Sequence, residues 1–235
     1  MPVFRLSSQI EFPPAYLARH DGLLAVGGDL SPQRLTLAYS MGIFPWYNWD
    51  EPILWWSPDP RLVLFPSEIR VPRSLAKLMR KTPFRITVDE AFDQVIRACA
   101  TVRLDQDEGT WINEKMMAAY GRLHDEGLAH SVEAWVGDRL VGGLYGVSLG
   151  RSFFGESMFT LEDNASKVAF VTLNRCLLKR EFIMIDCQVK TDHLMRFGAR
   201  NIDREDFLAC LDRALAFPTL KGRWKLDEEG DLQVL

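Results

Sequence analysis

The chain is poor in the residues that build metal and disulfide frameworks. Its four cysteines, Cys99, Cys176, Cys187 and Cys210, have neither CxxC spacing nor the density of a disulfide scaffold, so reduced thiols in a cytosolic setting are expected. The four histidines, His20, His124, His130 and His193, form no HxxxH or HxxC pair, and no metal site is expected. No segment approaches the roughly 18 apolar residues of a membrane span. Met1 to Phe12 lacks a basic stretch followed by an apolar run, which argues against an export signal and for the cytoplasm. Internal repeats and low-complexity linkers are missing as well. What is abundant is apolar residue, 47% of 235 positions, enough to bury a full core in one large domain or in a small domain joined to a larger one.

The order of elements favours the second arrangement. Residues 1 to about 60 hold one helix, opened by Ser31-Pro32 and running to about Met41, between turn-rich segments containing Gly27-Gly28 and Gly42. A small irregular N-terminal domain is expected there. From residue 61 to 235 helices and strands alternate. Helices are expected near 73 to 81, 89 to 100 and 111 to 125, and strands at 131 to 136 and 139 to 147 about a Gly137-Asp138 turn. A third strand runs from Arg151 to Met158. A helix opened by Asn164 or Ser166 then reaches Lys179, followed by a strand from Phe182 to Val189, a short helix near 192 to 197 and a last helix from 204 to 216. The fold class is α+β: an antiparallel meander, a helix and a return strand.

That order resembles the Gcn5-related N-acetyltransferases, with one departure. Where those enzymes cradle coenzyme A with a basic, glycine-rich turn before the helix, this chain has Leu161-Glu-Asp-Asn-Ala-Ser-Lys167, which is acidic and lacks glycine. Acyl-coenzyme A is therefore disfavoured as a substrate.

Charge and aromatic residues are unevenly placed. The net charge is −4, yet seven of the 25 residues from Arg61 to Arg85 are basic and one is acidic. Within that stretch Arg73, Lys77 and Arg80 recur at helical spacing, while Leu75, Leu78 and Met79 can face a core. The stripe reads either as a solvated helix face or as a ridge that follows phosphates. Four of the seven tryptophans lie between residues 46 and 56, in segments too rich in proline and polar residues for a buried helix. Trp46, Trp55 and Trp56 can be core, whereas Trp49, flanked by Asn48 and Asp50, is the candidate for stacking on a base.

Two polar clusters close apolar runs: Gly155-Glu-Ser-Met-Phe-Thr160 and Phe182-Ile-Met-Ile-Asp-Cys-Gln188. Glu156, Asp186 and Gln188 are the candidate reactive groups. In a regular strand Asp186 and Gln188 leave one face while Ile185 and Cys187 leave the other. A structural carboxylate capping a turn is the alternative reading of Glu156.

Ordered motifs along nearly the whole chain resemble the leucyl/phenylalanyl-tRNA–protein transferase family. They are Gly28-Asp-Leu-Ser31 with Ala38-Tyr39, Gly42-Ile-Phe-Pro-Trp46, Trp55-Trp-Ser-Pro-Asp-Pro-Arg61, Gly109-Thr-Trp-Ile112, His130-Ser-Val-Glu133, Gly155-Glu-Ser-Met-Phe159, Ala165-Ser-Lys167, Asp186-Cys-Gln188 and His193-Leu194 with Gly198-Ala199. Thr160 and Met195-Arg196 depart slightly from the family pattern. The resemblance implies transfer of leucine or phenylalanine, and methionine less well, from aminoacyl-tRNA to proteins beginning with arginine or lysine, marking them for N-end rule degradation. It assigns Gln188 to draw the amine proton and Asp186 to orient Gln188, with Glu156 beside them. The ribose hydroxyl and Asp186 remain open as final proton acceptors. It implies an amino-acid slot walled by Leu144, Met158, Phe170, Leu173 and Ile185, with Trp49 and Trp111 holding the terminal adenosine. Arg73, Lys77, Arg80 and Lys81 would grip the tRNA backbone. An aminoacyl ester is already activated, so no cofactor is needed; a monomer is the default. A coenzyme A acyltransferase and a non-catalytic tRNA-binding module are the rival classes.

Overall fold

The computed structural model describes residues 3–81, 83–105 and 112–235. Strands β1 (Phe4–Leu6), β2 (Leu23–Gly27), β3 (Phe44–Pro45) and β4 (Leu54–Trp56) form a small sheet in the order β1-β2-β4-β3, with helix α1 (Pro32–Ser40) between β2 and β3. Helix α1 starts where the Ser31-Pro32 pair predicts. Ser31 Oγ accepts from Arg34 N, and Pro32 occupies the first turn, where a missing N–H costs nothing. Arg34 is wholly buried and stitches the N-terminal segment down, donating through Nη2 to the carbonyls of Ser7 and Gln9, each at 3.0 Å.

The rest of the chain supplies β5 (Arg61–Leu64), α2 (Arg73–Met79), β6 (Arg85–Val88), α3 (Phe92–Asp105), α4 (Glu114–Asp125), β7 (Ala129–Val136), β8 (Arg139–Leu149), β9 (Ser152–Thr160), α5 (Ala165–Lys179), β10 (Met184–Gln188), α6 (Asp192–Arg196), β11 (Arg200–Ile202), α7 (Arg204–Leu215), β12 (Trp224–Leu226) and β13 (Leu232–Val234). Seven strands make one sheet in the order β11-β5-β10-β9-β8-β7-β6. The expected meander is β7-β8-β9, α5 is the helix, and β10 returns parallel to β9. The fold class is α+β with a mixed sheet.

Alternate residues of the central strands feed different cores, as period-2 geometry requires. Leu62, Leu64, Leu144, Phe153 and Ile185 pack with α5, whereas Val63, Tyr145, Val147, Phe154 and Met184 pack with α3 and α4. The second of these clusters continues without a break into α1 and the small sheet, through Leu35, Ala38, Tyr39 and Trp55.

The sequence reading differs from the structure in several places. Strands β5, β6, β11 and the β12–β13 hairpin are additions to it. The helix expected from residue 89 begins at Phe92, because Asp89 takes a left-handed conformation (φ 56°). Its carboxylate accepts from His130 Nδ1 at 2.8 Å, Ser131 N at 2.9 Å and Trp224 N at 2.7 Å. Asp89 thereby ties the C-terminal hairpin to β7, and the His130 ring stacks on Trp224. Helix α4 begins at Glu114 with Asn113 as its cap, and residue 111, its expected start, lies outside the described residues. Among the described residues no helix is long and apolar enough to cross a membrane. All four cysteines are buried and none is in a disulfide.

Candidate active site

Strands β9 and β10 pair in parallel only through Met184 with Ser152, Ile185 with Phe153 and Asp186 with Phe154. Each then breaks its antiparallel ladder. On β9, Gly155 pairs with Gly146 and Ser157 with Tyr145, so Glu156 is an extra residue. On β10, Asp186 pairs with Val63 and Gln188 with Leu62, so Cys187 is extra, and Gln188 sits at φ 61°. A bulge adds one residue and reverses the facing of the residues after it. The expectation that Asp186 and Gln188 share a face is therefore corrected: Ile185, Cys187 and Gln188 border one cleft, while the Asp186 carboxylate is turned onto Arg61. Where the strands separate, Gln188 Nε2 bridges them by donating to Glu156 Oε1 at 2.8 Å.

Asp186 is fully buried in a bidentate ion pair, accepting from Arg61 Nε at 2.9 Å and Nη2 at 2.7 Å. Arg61 itself is held between the rings of Phe44 and Phe207, at 4.7 and 4.6 Å from their centroids. It belongs to the core, not to the exposed basic stretch in which its sequence position puts it. Asp186 Oδ1 also accepts from the backbone N–H of Gln188 at 2.9 Å, which fixes the left-handed residue after the bulge. Asp186 thus shapes the backbone that carries Gln188, and its charge is already met by a cation.

Glu156 is buried, and among the described residues no cation contacts it. Tyr39 of α1 donates to Oε1 at 2.7 Å and Tyr120 of α4 to Oε2 at 2.8 Å; the two hydroxyl oxygens touch, but each has one proton and both protons are directed at Glu156. Burial pushes the Glu156 carboxyl up to about 7; the hydroxyl and amide donors hold it down, and nearby Asp186 raises it further. The tyrosines are raised well above their ordinary range by burial and by Glu156, so they are neutral donors.

The cleft has a volume of about 710 Å³. Leu144, Met158, Phe170, Leu173 and Ile185 all line it, together with Glu156, Cys187 and Gln188. Trp46, 42% exposed, stands at its N-terminal side, where Trp56 Nε1 donates to the Trp46 carbonyl. Trp55 is core. Trp49 is 81% exposed on the following loop, and Trp111 lies outside the described residues. The far side is the start of α5: Asp163, Asn164, Ser166 and Lys167, with His193 opposite. Asn164 caps α5 in a left-handed conformation, and its side chain accepts from Lys167 Nζ rather than from a backbone N–H. Burial lowers the His193 pKa, aided by the charges of Lys167 and Arg196.

Helix α2 exposes Arg73 and Lys77 and buries Leu75, and the turn that follows it exposes Arg80 and Lys81, so the helix expected to reach 81 ends at Met79. A hollow of about 360 Å³ separates α2 from α5, with Arg80 on one side and Arg175 on the other. Lys167, near the start of α5, lines the cleft itself. The His130-Ser-Val-Glu133 motif lies elsewhere; Glu133 accepts from Thr87 Oγ1 and the Ala91 N–H and braces β6 and α3 against β7.

Sequence reading passes over Arg61 as a counter-ion, and Tyr39 and Tyr120 as donors. A signal exists for each. Arg61 precedes the apolar run Leu62-Val-Leu64, and a buried arginine requires a carboxylate. Tyr39 and Tyr120 fall on the apolar faces of their helices, where a buried hydroxyl requires an acceptor.

The cleft joins an apolar lining to a buried carboxylate with an amide beside it, a site fit for a transferase. A family model described as Leucyl/phenylalanyl-tRNA protein transferase matches residues 63–212, and a model of that family's N-terminal domain matches residues 28–59. The chain is 59% identical over 232 residues, 99% of its length and 100% of the relative's, to a leucyl/phenylalanyl-tRNA–protein transferase of Desulfatibacillum aliphaticivorans. It is 60% identical over 211 residues, 90% of each chain, to one of Syntrophobacter fumaroxidans. A solved aminoglycoside acetyltransferase from a soil metagenomic sample aligns at a TM-score of 0.39 with 16% identity, covering 50% of this chain and 86% of that one; at that level the likeness decides nothing. The chain belongs to the leucyl/phenylalanyl-tRNA–protein transferase family. It is an enzyme, an aminoacyl-tRNA–protein transferase.

Proposed function

We propose that the cleft takes the aminoacylated end of leucyl- or phenylalanyl-tRNA, and methionyl-tRNA less well, and joins the amino acid to the α-amine of a protein beginning with arginine or lysine. The product is marked for N-end rule degradation in the cytoplasm. The observation that carries this reading is the convergence of an apolar slot on a carboxylate–amide pair. Leu144, Met158, Phe170, Leu173 and Ile185 line the cleft that also holds Glu156 and Gln188.

The slot favours a side chain that is unbranched at Cβ, as leucine, phenylalanine and methionine are. One methylene in such a pocket discriminates by only about 1 to 3 kcal/mol, so rigid walls are required. β9, β10 and α5 provide them, because each packs into the core formed with α5. Trp49 stacks on the terminal adenosine, which it holds as a pair with Trp111. The ridge of Arg73, Lys77, Arg80 and Lys81 tracks phosphates without reading sequence. Gln188, with its amide nitrogen engaged by Glu156, turns its carbonyl oxygen to the acceptor amine and orients the lone pair on the ester carbon. No cofactor enters, since the ester supplies the driving force, and one chain suffices. The small N-terminal domain, residues 1 to about 60, and a Gcn5-like domain, 61 to 235, are parts of the same reading. The small sheet ends at Trp56 and the large one starts at Arg61, which supports it.

Transfer of radiolabelled leucine from leucyl-tRNA to a peptide with N-terminal arginine, beside one with N-terminal alanine, tests the reading. Label on the arginine peptide alone is expected. No label on either, with tRNA still bound, would leave a tRNA-binding module. Changing Arg73, Lys77 and Arg80 together to glutamate should weaken binding of every tRNA and flatten the salt dependence of log K by about two to three. An unchanged slope would put the RNA elsewhere.

A further inference from the structure

The family resemblance leaves open where the proton of the acceptor amine goes. Asp186 is a poor destination: it is fully buried, ion-paired through both oxygens to Arg61 and bonded to the Gln188 N–H. Protonating it would strand the buried Arg61 cation. Glu156 differs in each respect. It lines the cleft, touches Gln188, and among the described residues has no cation in contact to keep it ionised. Its carboxylate offers about four acceptor sites; among the described residues Tyr39, Tyr120 and Gln188 fill three of them, leaving one for an incoming N–H.

We propose that Glu156 carries the proton of the transfer and that Tyr39 and Tyr120 are the positioning residues that keep it ionised until the acceptor arrives. The proposal rests on the proposed transferase function. In the step, the neutral amine nitrogen attacks the ester carbonyl carbon and forms the C–N bond. Its surplus proton passes to Glu156. The bond from the carbonyl carbon to the ribose oxygen then breaks, and Glu156 returns the proton to that oxygen as it leaves. Protons and charge balance with no outside reagent, and Glu156 ends ionised as it began.

The environment suits a reversible carrier. Facing Glu156 are Tyr39 from α1, Tyr120 from α4 and the Gln188 amide from β10; behind them stand Tyr145 of β8, which acts on both tyrosines, and Asp186, paired with Arg61 of β5. The donors are neutral hydroxyls and an amide. Such donors stabilise the carboxylate without locking it as a guanidinium would, and burial brings its titration to about 7, where a carrier can both take and return a proton at neutral pH. The arrangement also gives α1, from the first part of the chain, a place in the chemistry carried by β9 and β10.

The test is the pH profile of single-turnover leucyl transfer to an arginine peptide, at saturating leucyl-tRNA, by wild type, Glu156→Gln, Tyr120→Phe and Tyr39→Phe, with melting temperature followed for each. Glu156→Gln should lower the rate on the order of 100-fold or more with melting temperature retained. Each tyrosine variant removes one donor to the charged form, and should move the acid limb upward by about one pH unit while leaving the alkaline plateau nearly intact. In the Glu156→Gln background Tyr120→Phe should move nothing, which separates Glu156 from the acceptor amine's own titration. An acid limb that stays put in both tyrosine variants, or shifts equally without Glu156, would overturn the proposal. Should the tyrosine variants fail to fold, the wild type minus Glu156→Gln infrared difference spectrum decides. It should show one carboxyl losing its C=O band near neutral pH, and absence of that band change would refute the account. A wild type that transfers nothing to the arginine peptide would instead refute the function.

Discussion

Two buried carboxylates lie on neighbouring strands within hydrogen-bond reach of one residue, Gln188, and are held in opposite ways. Asp186 contacts a guanidinium that is itself enclosed by Phe44 and Phe207, and it bonds the backbone of Gln188. Glu156 contacts two phenols and the side-chain amide of Gln188. Asp186 is tied through both oxygens to a buried cation, so the pair is fixed and serves the backbone. Burial pushes the Glu156 carboxyl up to about 7 and its neutral donors offset that only in part, so its charge can change within the working range of the enzyme. Partner charge, rather than depth, separates a strut from a reagent.

The largest expected effect comes from breaking the strut. Arg61→Met or Asp186→Ala leaves one buried charge without a partner and should lower unfolding stability by about 3 to 5 kcal/mol, measured by denaturant titration. Replacing both together, as Arg61→Met with Asp186→Leu, should restore much of the loss. If either single variant matches wild type in stability, the strut reading is wrong. An Asp186 variant that loses transfer should lose folded protein in proportion.

Removing the reagent should act in the other direction, with a sign that pH reveals. Glu156 titrates at about 7 when folded, against an ordinary value of 4.5. Its contribution to stability is therefore fully present below the unfolded value and is lost as pH rises through about 7. Wild type should weaken over that window by up to about 3 kcal/mol, and Glu156→Gln should not. Equal slopes for the two proteins between those limits would contradict the assigned environment. A smaller effect is expected at the base of the helix that delivers Tyr39. Ser31→Ala removes the cap of α1 and should cost about 1 kcal/mol, read as a lower unfolding midpoint.

Much of this is legible in the chain. Gly137-Asp138 between alternating runs marks the β7–β8 hairpin, Ser31-Pro32 marks the start of α1, and a broad apolar face marks α5. Leu144, Met158, Phe170, Leu173 and Ile185, which the family resemblance implies as neighbours, line one cleft. The elements that escape do so for physical reasons. β5 is four residues long and buried throughout, so it shows no alternation, and β11 and β12 are shorter still. The bulges at Glu156 and Cys187 are written in no local signal, since they arise from pairing with β8 and β5. They overturn the facing of Asp186 relative to Gln188. Arg61 groups with exposed neighbours because composition counts charge without regard to depth.

The most direct test of the central claim, that transfer occurs where β9 and β10 part, is the single-turnover rate of leucyl transfer by Gln188→Ala, measured beside its leucyl-tRNA affinity. The account predicts a strong loss of rate with affinity close to wild type. Full turnover with Gln188 removed would place the chemistry away from this cleft.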